Sequence, residues 1–447
     1  MKISSKRLQH SVSAALVIAM LGGCSSGQPA KQADEPAPKP AESKPEPPAP
    51  VTLTLFADTA LRDQDFIDYI QEPTKKKYPH ITLVKINKDK DQTMQTLITA
   101  NQIPDFVWLG LTNIQQLTDL SIPVDLDPIV KRHNYDLSRL DPLLVKSVRS
   151  YSPKNELLYM PFRSYAFGLH YNKSIFDRFG VEHPKNNMTW DEIIALARKV
   201  TNTADGISYR GLSAGTLLNR MQSQLSLPYV DPAKDQPVIS SNPGWKKLFD
   251  VFHNIYSIPG NYPQGATFGD GANAFLAARN LAMFPQLLLL GNLDLMKAAG
   301  EGFQWGVVSY PTFKENPGVG PGLFSDGFAI PAGSKNPDAA FQVMTNLLSE
   351  EVQLMASKKG NLTALTNPDI RKRLFEESPL SKGVDVPALL NLKYADPHKR
   401  SPYDEKARVI VTKYVEQAYT GKSDSNTAMR QSDEEIARVI QQDKAAK

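Results

Sequence analysis

From Val51 onward, apolar and polar positions alternate in short bursts separated by stretches of helical spacing. Val51-Thr52-Leu53-Thr54-Leu55-Phe56 alternates and contains β-branched residues, which predicts a strand. Gln64 to Lys77 has helical spacing and is ended by Tyr78-Pro79. Ile81 to Ile86 is again strand-like, Thr93 to Ala100 helical, and Asp105 to Leu109 a short buried strand. This β-α-β-α-β order implies a parallel sheet with helices on its faces. Ligands of such sheets sit outside the carboxyl ends of the strands, which nominates Asp58-Thr59 and Leu111-Thr112-Asn113.

The pattern restarts in the middle of the chain. Leu157–Phe162 and Phe167–Tyr171 read as strands, followed by a helix over Lys173–Phe179. Thr189-Trp190-Asp191-Glu192 opens another helix, with Thr189 as cap and two carboxylates at the positive end of the dipole. Trp190, in that opening turn, is expected to pack rather than to bind. Helical spacing recurs over Pro243–Ile255, Asp270–Ala278 and Pro285–Ala298, the last taking in Leu287–Leu290 as a buried face. Strands are expected at Leu281–Phe284, Trp305–Tyr310 and Gly327–Pro331. Beyond Asn336 the chain is mostly helical, with interruptions at Gly360, Pro368, Pro387 and Pro397. The length of this body suggests two domains.

The first 50 residues have a different character. Lys2, Lys6 and Arg7 precede an apolar run, Val12 to Leu21, of about ten residues, too short for a membrane span and suited to a signal-peptide core. Gly22, Gly23 and then Cys24, the single cysteine, complete an arrangement that resembles a bacterial lipobox. We therefore expect residues 1–23 to be a signal peptide with lipobox, and Cys24 to be lipidated and to tether the protein to a membrane outside the cytoplasm. Ser25 to Pro50 holds eight prolines and no aromatic residue, so residues 24–50 are expected to form a disordered stalk behind the lipid. The body then has no thiol for a disulfide, a nucleophile or a metal. The formal charge of +4 includes Lys2, Lys6 and Arg7, so the mature chain is near neutral and gives no argument for nucleic acid.

Further along, Leu157-Leu158-Tyr159-Met160-Pro161, Leu169-His170-Tyr171-Asn172-Lys173, Phe176, Phe179-Gly180 and Thr189-Trp190-Asp191-Glu192 stand in order. Pro79 to Leu83, Gln95 to Leu97, Ile103-Pro104-Asp105, Ala277 to Met283 and Ile330 to Ala340 extend the set. The ensemble resembles the bacterial extracellular solute-binding proteins of the sugar-binding family 1 type, similar to maltose-binding-type receptors of ABC importers. The resemblance implies an α/β, periplasmic-binding-protein-like fold of two lobes, each a mostly parallel sheet flanked by helices, with three chain crossings between them. We place the crossings near Arg163–Phe167, Trp305–Pro311 and Met355–Thr366. Lobe one then comprises residues 51–163 plus 309–356, and lobe two 164–308 plus 360–447. The implied activity is capture of a carbohydrate in the interlobe cleft, hinge closure, and delivery to ABC transporter permease subunits.

Sugars need aromatic faces and paired donors and acceptors. By position after strands or at crossings, the candidate ligand residues are Phe56, Asp58, Trp108, Arg163, Tyr165, Phe284, Gln286, Trp305 and Asp326. The resemblance places the family's sugar contacts near Asp58, Thr112, Tyr165 and Gln286. Two positions depart from the family pattern, Arg163 for a small residue and His170 for an apolar one. A cleft arginine would suit a carboxylate-bearing sugar, and the plainer alternative is a salt bridge between the lobes or a solvated hinge arginine.

Enzyme chemistry has little support. Gly211-Leu212-Ser213-Ala214-Gly215 fits G-x-S-x-G, with His253 and His398 downstream, but polar Thr201 to Arg210 precedes it where an apolar strand is needed. Seven histidines include no H-E-x-x-H, so no metal is expected, and no cofactor. We expect a monomer. The alternatives are a surface-anchored carbohydrate-active enzyme, hydrolase or lyase, and a ligand-sensing receptor without transport.

Overall fold

The computed structural model describes residues 48–215, 218–262 and 269–445. The expected signal peptide, Cys24 and residues 24–47 lie outside that description. Pro48–Pro50, the described end of the expected stalk, is exposed and without regular structure.

The chain begins with β1 (Val51–Ala57), β2 (Ile81–Asn87) and β3 (Phe106–Gly110). In β1 Leu53 and Leu55 are buried while Thr52 is exposed, the outcome of period-two alternation. The helical stretch after β1 is interrupted by a π-helical segment, Ile67–Gln71, between Asp63–Phe66 and Glu72–Lys77. Pro73 has no N–H to give the carbonyl four residues back, so the α ladder cannot run through it unbroken. Thr93 caps the helix Met94–Thr99 through reciprocal bonds with Thr96.

Next come β4 (Met160–Ser164), β5 (Phe167–Asn172), β6 (Asn202–Ala204) and β7 (Ile207–Leu212). The two-residue strands β8 (Val230–Asp231) and β9 (Gln236–Pro237) pair with each other. β10 (Leu281–Leu287), β11 (Trp305–Ser309), β12 (Val319–Gly320), β13 (Ser325–Ala329), β14 (Leu362–Thr363) and β15 (Lys393–Tyr394) complete the set. Sheet one has the order β14-β4-β13-β3-β1-β2, sheet two the order β11-β5-β10-β7-β6, and β12 pairs with β15. The described residues form two lobes, one sheet with flanking helices in each.

The sheets are mixed, which corrects the expectation of mostly parallel ones. Among the described residues of the two large sheets, parallel pairing is confined to β1 with β2 and β3, and to β10 with β7. β13 runs antiparallel to β3 and β4, β14 to β4, and β5 to both β10 and β11. These antiparallel strands are the ones by which the chain leaves one sheet or re-enters it, and they need no crossover helix beside a sequence neighbour.

Three expectations shift for related reasons. Pro285–Leu287, expected to open a long helix, extends β10, where Pro285 faces Leu169. Only Leu293–Gly300 is α-helical there, after a 3₁₀ turn over Leu289–Gly291. An apolar run flanked by strands on both sides has no alternation to distinguish it from a buried helix. Tyr310 and Phe313, expected in lobe one, belong to the core of sheet two, so the return to sheet one lies later. Leu362–Thr363, expected in lobe two, pairs with β4 of sheet one.

Each lobe has its own core. Leu55, Phe106, Phe162, Phe328 and Phe341 pack in the first; Leu169, Trp190, Trp245, Phe249 and Phe252 in the second. Thr189 and Glu192 form a capping box, and burial of Trp190 is completed by its Nε1 donating to Gln224 Oε1 at 3.2 Å. Gly180, at φ +64°, ends the helix Lys173–Phe179 in a left-handed turn that favours glycine. Asp404–Tyr419 and Ser425–Ala445 pack on each other, burying Val411, Val415, Ile436 and Ile440 against sheet two's helices. Among the described residues, no helix is long and apolar enough to cross a membrane.

Candidate functional site

The register of β4 against β13 places Arg163 opposite Asp326. Arg163 Nε and Nη2 donate to Asp326 Oδ2 at 3.0 and 2.6 Å, and Nη1 donates to Asn361 Oδ1 at 2.7 Å. The Tyr165 hydroxyl donates to the same carboxylate oxygen. The guanidinium lies over the rings of Trp108 and Tyr165, at 5.3 and 5.6 Å from their centroids. Burial opposes the charge on Arg163, but the carboxylate of Asp326 outweighs it and holds the guanidinium protonated above its ordinary range. Burial, followed by the charge of Asp326, raises the Tyr165 hydroxyl. Arg163 is thus committed to a partner within sheet one. It is neither an unpaired cleft cation nor a salt bridge between lobes.

The other candidates divide by which face of their strand they occupy. Phe56 and Trp108 are buried in the core of sheet one, and Phe284 packs with Phe275 and Phe303 behind sheet two. Trp305 is half-buried between two apolar clusters at the joint. Gln286 accepts from Arg220 Nη2 at 2.6 Å, and Asp58 holds Lys88 Nζ at 2.8 Å and Asn113 Nδ2 at 3.4 Å. These six are occupied by packing or by protein partners. His170 is buried in β5 and accepts from the Leu289 amide at 3.1 Å, a structural role.

Thr112 is different, because it lines an interlobe cavity of about 240 Å³. Lobe one supplies Thr112, Asn113 and Tyr151; lobe two supplies Asn219, Gln222, Tyr229, His398, Arg400 and Asp404. His398 is held on both sides: Gln222 Nε2 lies 3.3 Å from Nδ1, and Nε2 lies 3.0 Å from Asp404 Oδ2. Burial lowers the imidazole pKa. The neutral ring therefore accepts from the Gln222 amide at Nδ1 and donates to Asp404 from Nε2. The Arg400 guanidinium stacks on the Tyr151 ring from the opposite lobe, 3.8 Å from its centroid. Asp396, which also lines the cavity, meets Lys146 of the other lobe at 2.6 Å.

Four buried atoms in this lining have no hydrogen-bond partner in the protein: Asn219 Oδ1, Tyr229 Oη, Arg400 Nε and Asp404 Oδ1. Each such atom costs about 1–3 kcal/mol when nothing pairs with it. The residues that carry these atoms line one small space. A wider groove of about 830 Å³ adjoins it, sharing Gln115, Ser150, Tyr151 and Arg400. A second interlobe space, about 460 Å³, lies beside Arg62, Tyr69, Arg163 and Leu287–Asp294, but its arginines are already paired, Arg62 with Asp65. Among the described residues, no group of three or more His, Cys, Asp or Glu side chains could hold a metal ion.

The family model described as bacterial extracellular solute-binding protein matches residues 61–354. The chain belongs to this family. No curated protein sequence matches it. Among solved structures, this solute-binding protein is similar to an ABC substrate-binding protein of Listeria monocytogenes in complex with cycloalternan. The two are 17% identical, with 87% of this chain and 98% of that one covered and a TM-score of 0.70. It is also similar to the cyclic alpha-maltosyl-1,6-maltose binding protein of Arthrobacter globiformis, at 15% identity, 88% and 99% coverage and a TM-score of 0.65. A solute-binding protein of Thermotoga lettingae bound with alpha-D-tagatose matches at 17% identity, 87% and 99% coverage and a TM-score of 0.67. At these identities the likeness is one of fold.

In this solute-binding protein, sequence reasoning missed Tyr151, Asn219, Gln222, Tyr229, Arg400 and Asp404, and weighed His398 only as a hydrolase partner. One signal was present: Asp396-Pro397-His398-Lys399-Arg400 packs four titratable residues around a proline between helices. A loop that polar, held on a rigid scaffold, is where binding groups concentrate.

Proposed function

We propose that this protein is the lipid-anchored capture subunit of an ABC importer, taking a carbohydrate into the interlobe cavity and closing over it. The observation that carries the reading is the interlobe cavity itself, lined by Thr112, Asn113 and Tyr151 from one lobe and by Asn219, Gln222, Tyr229, His398, Arg400 and Asp404 from the other. A sugar hydroxyl both donates and accepts, which suits a lining of amide, hydroxyl and charged side chains. The commitment of Arg163 to Asp326 favours an uncharged sugar over a uronide. Cys24 and its apolar leader support the anchor, and the family supports a permease as the receiving partner.

Contacts from both lobes would stabilise the closed form, which is the form a permease reads. A thermal-shift screen against neutral sugars tests the reading, because a ligand that binds the folded state alone raises the melting temperature by mass action. Absence of a shift with every sugar, or turnover of the sugar that binds, would sink it.

A further inference from the structure

We infer that the segment Asp396–Arg400 is a latch between the lobes, seated by a neutral His398 and released when that ring takes up a proton. The latch acts with or without a sugar in the cavity, so it goes beyond the capture reading above. Three observations carry it. The first is that both ends of the segment reach lobe one. Asp396 Oδ1 meets Lys146 Nζ at 2.6 Å, and the Arg400 guanidinium lies 3.8 Å from the centroid of the Tyr151 ring. Lys146 stands in the helix Pro142–Arg149, and the Tyr151 amide donates to the Val148 carbonyl of its last turn. Both contacts therefore land on one element.

The second is how the segment itself is held. It has no regular structure, and Pro397 has no N–H to give. Among the described residues, no hydrogen bond between backbone groups ties Asp396–Arg400 to the rest of the chain. On the side of lobe two, Ser226 Oγ donates to the Asp396 carbonyl at 2.7 Å, and the His398 ring is clasped between Gln222 and Asp404.

The third is that this clasp suits one protonation state. Gln222 Nε2 also donates to the Leu227 carbonyl, which turns its N–H groups toward Nδ1 of His398. A proton on Nδ1 would set donor against donor. Arg400, Tyr151, Tyr229, Asp404, Glu405 and Arg408 line the same cavity as the ring. Asp404 accepts from Nε2, whereas Glu405 is engaged by Arg408 at 2.9 and 2.5 Å. Burial opposes a charge on His398, Asp404 favours it, and Arg400 adds to the opposition, which prevails. The seated segment thus prefers the neutral ring. Its hold is complete above the ordinary histidine value of about 6.5 and is lost as the pH falls from there through the lowered one.

The test is the distance between the lobes in the sugar-free protein. Spin labels at Lys131→Cys of lobe one and Lys246→Cys of lobe two, both exposed positions, report it by pulsed electron resonance in the full chain carrying Cys24→Ser. From pH 8 to pH 5.5 the ratio of separated to closed lobes should rise by at least about threefold. His398→Gln, which keeps a donor for Asp404 and cannot titrate, should show no such rise. Lys146→Ala combined with Arg400→Ala should separate the lobes at both pH values. An unchanged ratio in the labelled protein, the same rise in His398→Gln, or lobes that stay closed in the double variant would overturn the latch. Loss of near-ultraviolet circular dichroism by pH 5.5 would overturn it too, because acid would then unfold the protein before releasing the segment. Each of these failures leaves the carbohydrate reading intact, since no sugar enters the measurement.

Discussion

Arg163 grips a single oxygen of Asp326 with two nitrogens, Nε at 3.0 Å and Nη2 at 2.6 Å, across neighbouring antiparallel strands. Both residues belong to sheet one, so the pair is part of one rigid body and does not form as the lobes meet. The Arg163 side chain is 18% exposed and that of Asp326 10%. Stacking on Trp108 and Tyr165 fixes the plane of the fork.

Arg163→Ala should therefore act on stability. It leaves Asp326 buried with the Tyr165 hydroxyl, and removing one partner of a buried pair costs about 3–5 kcal/mol. Urea denaturation followed by circular dichroism measures this. Affinities for neutral and acidic sugars should shift together in the variant; a loss confined to acidic sugars would restore Arg163 as a ligand contact.

His170 predicts a loss of stability in acid. Its Nε2 accepts from the Leu289 amide at 3.1 Å, and complete burial lowers the imidazole pKa to about 4. The ordinary value is about 6.5. The folded protein therefore favours the neutral ring. Its contribution is fully present above about pH 6.5 and is lost as the pH falls toward 4, by about 3 kcal/mol in all. His398, lowered by burial as well, adds in the same direction. Melting temperatures from pH 7 to pH 4 should fall more gently in His170→Gln, which cannot titrate. Parallel slopes for variant and natural protein would contradict this.

Tyr229→Phe separates binding from folding. The hydroxyl is buried without a protein partner, so deleting it removes no protein hydrogen bond, and the free protein should melt at or above its original temperature. If that hydroxyl meets a sugar, affinity should drop by about 0.5–1.5 kcal/mol, the net value of one hydrogen bond. Calorimetry with the strongest sugar from the screen decides it, and unchanged affinity would place the ligand elsewhere.

Cys24→Ser tests the anchor. The variant should move from the membrane fraction to the soluble fraction with no change in sugar affinity, because Cys24 precedes the body in the sequence by the whole of Ser25 to Pro50. Retention on salt-washed membranes would require another attachment.

The scaffold was largely legible because its signals are local. Alternation wrote β1 and β2, and a cap written as Thr189 followed by Glu192 opens its helix at the expected residue. Where both strand faces are buried, as in β10, the signal vanished and the end of the strand was read as helix. The site was less legible. Placement after a strand brought Thr112 to the cavity, but the same rule offered Phe56 and Phe284, because position along a strand does not say which face a side chain takes. Gln222 and His398 touch across 176 residues of sequence. Their meeting depends on the C-terminal helices folding back onto the core of sheet two, which no local pattern encodes.

The bridge from Lys146 to Asp396 has a consequence for the surroundings in which the protein works. Both side chains are exposed, and they meet from opposite lobes. Mobile ions screen such a pair, over about 10 Å at 0.1 M and about 3 Å at 1 M ionic strength. In dilute fresh water the bridge pulls the lobes together; in brine it hardly does. An exposed pair is worth about 0.2–1 kcal/mol, so the affinity for a sugar carrying no charge should still drift downward by up to about fivefold as salt rises. Under the proposed function, the ionic strength around the protein is thereby a weak brake on sugar binding.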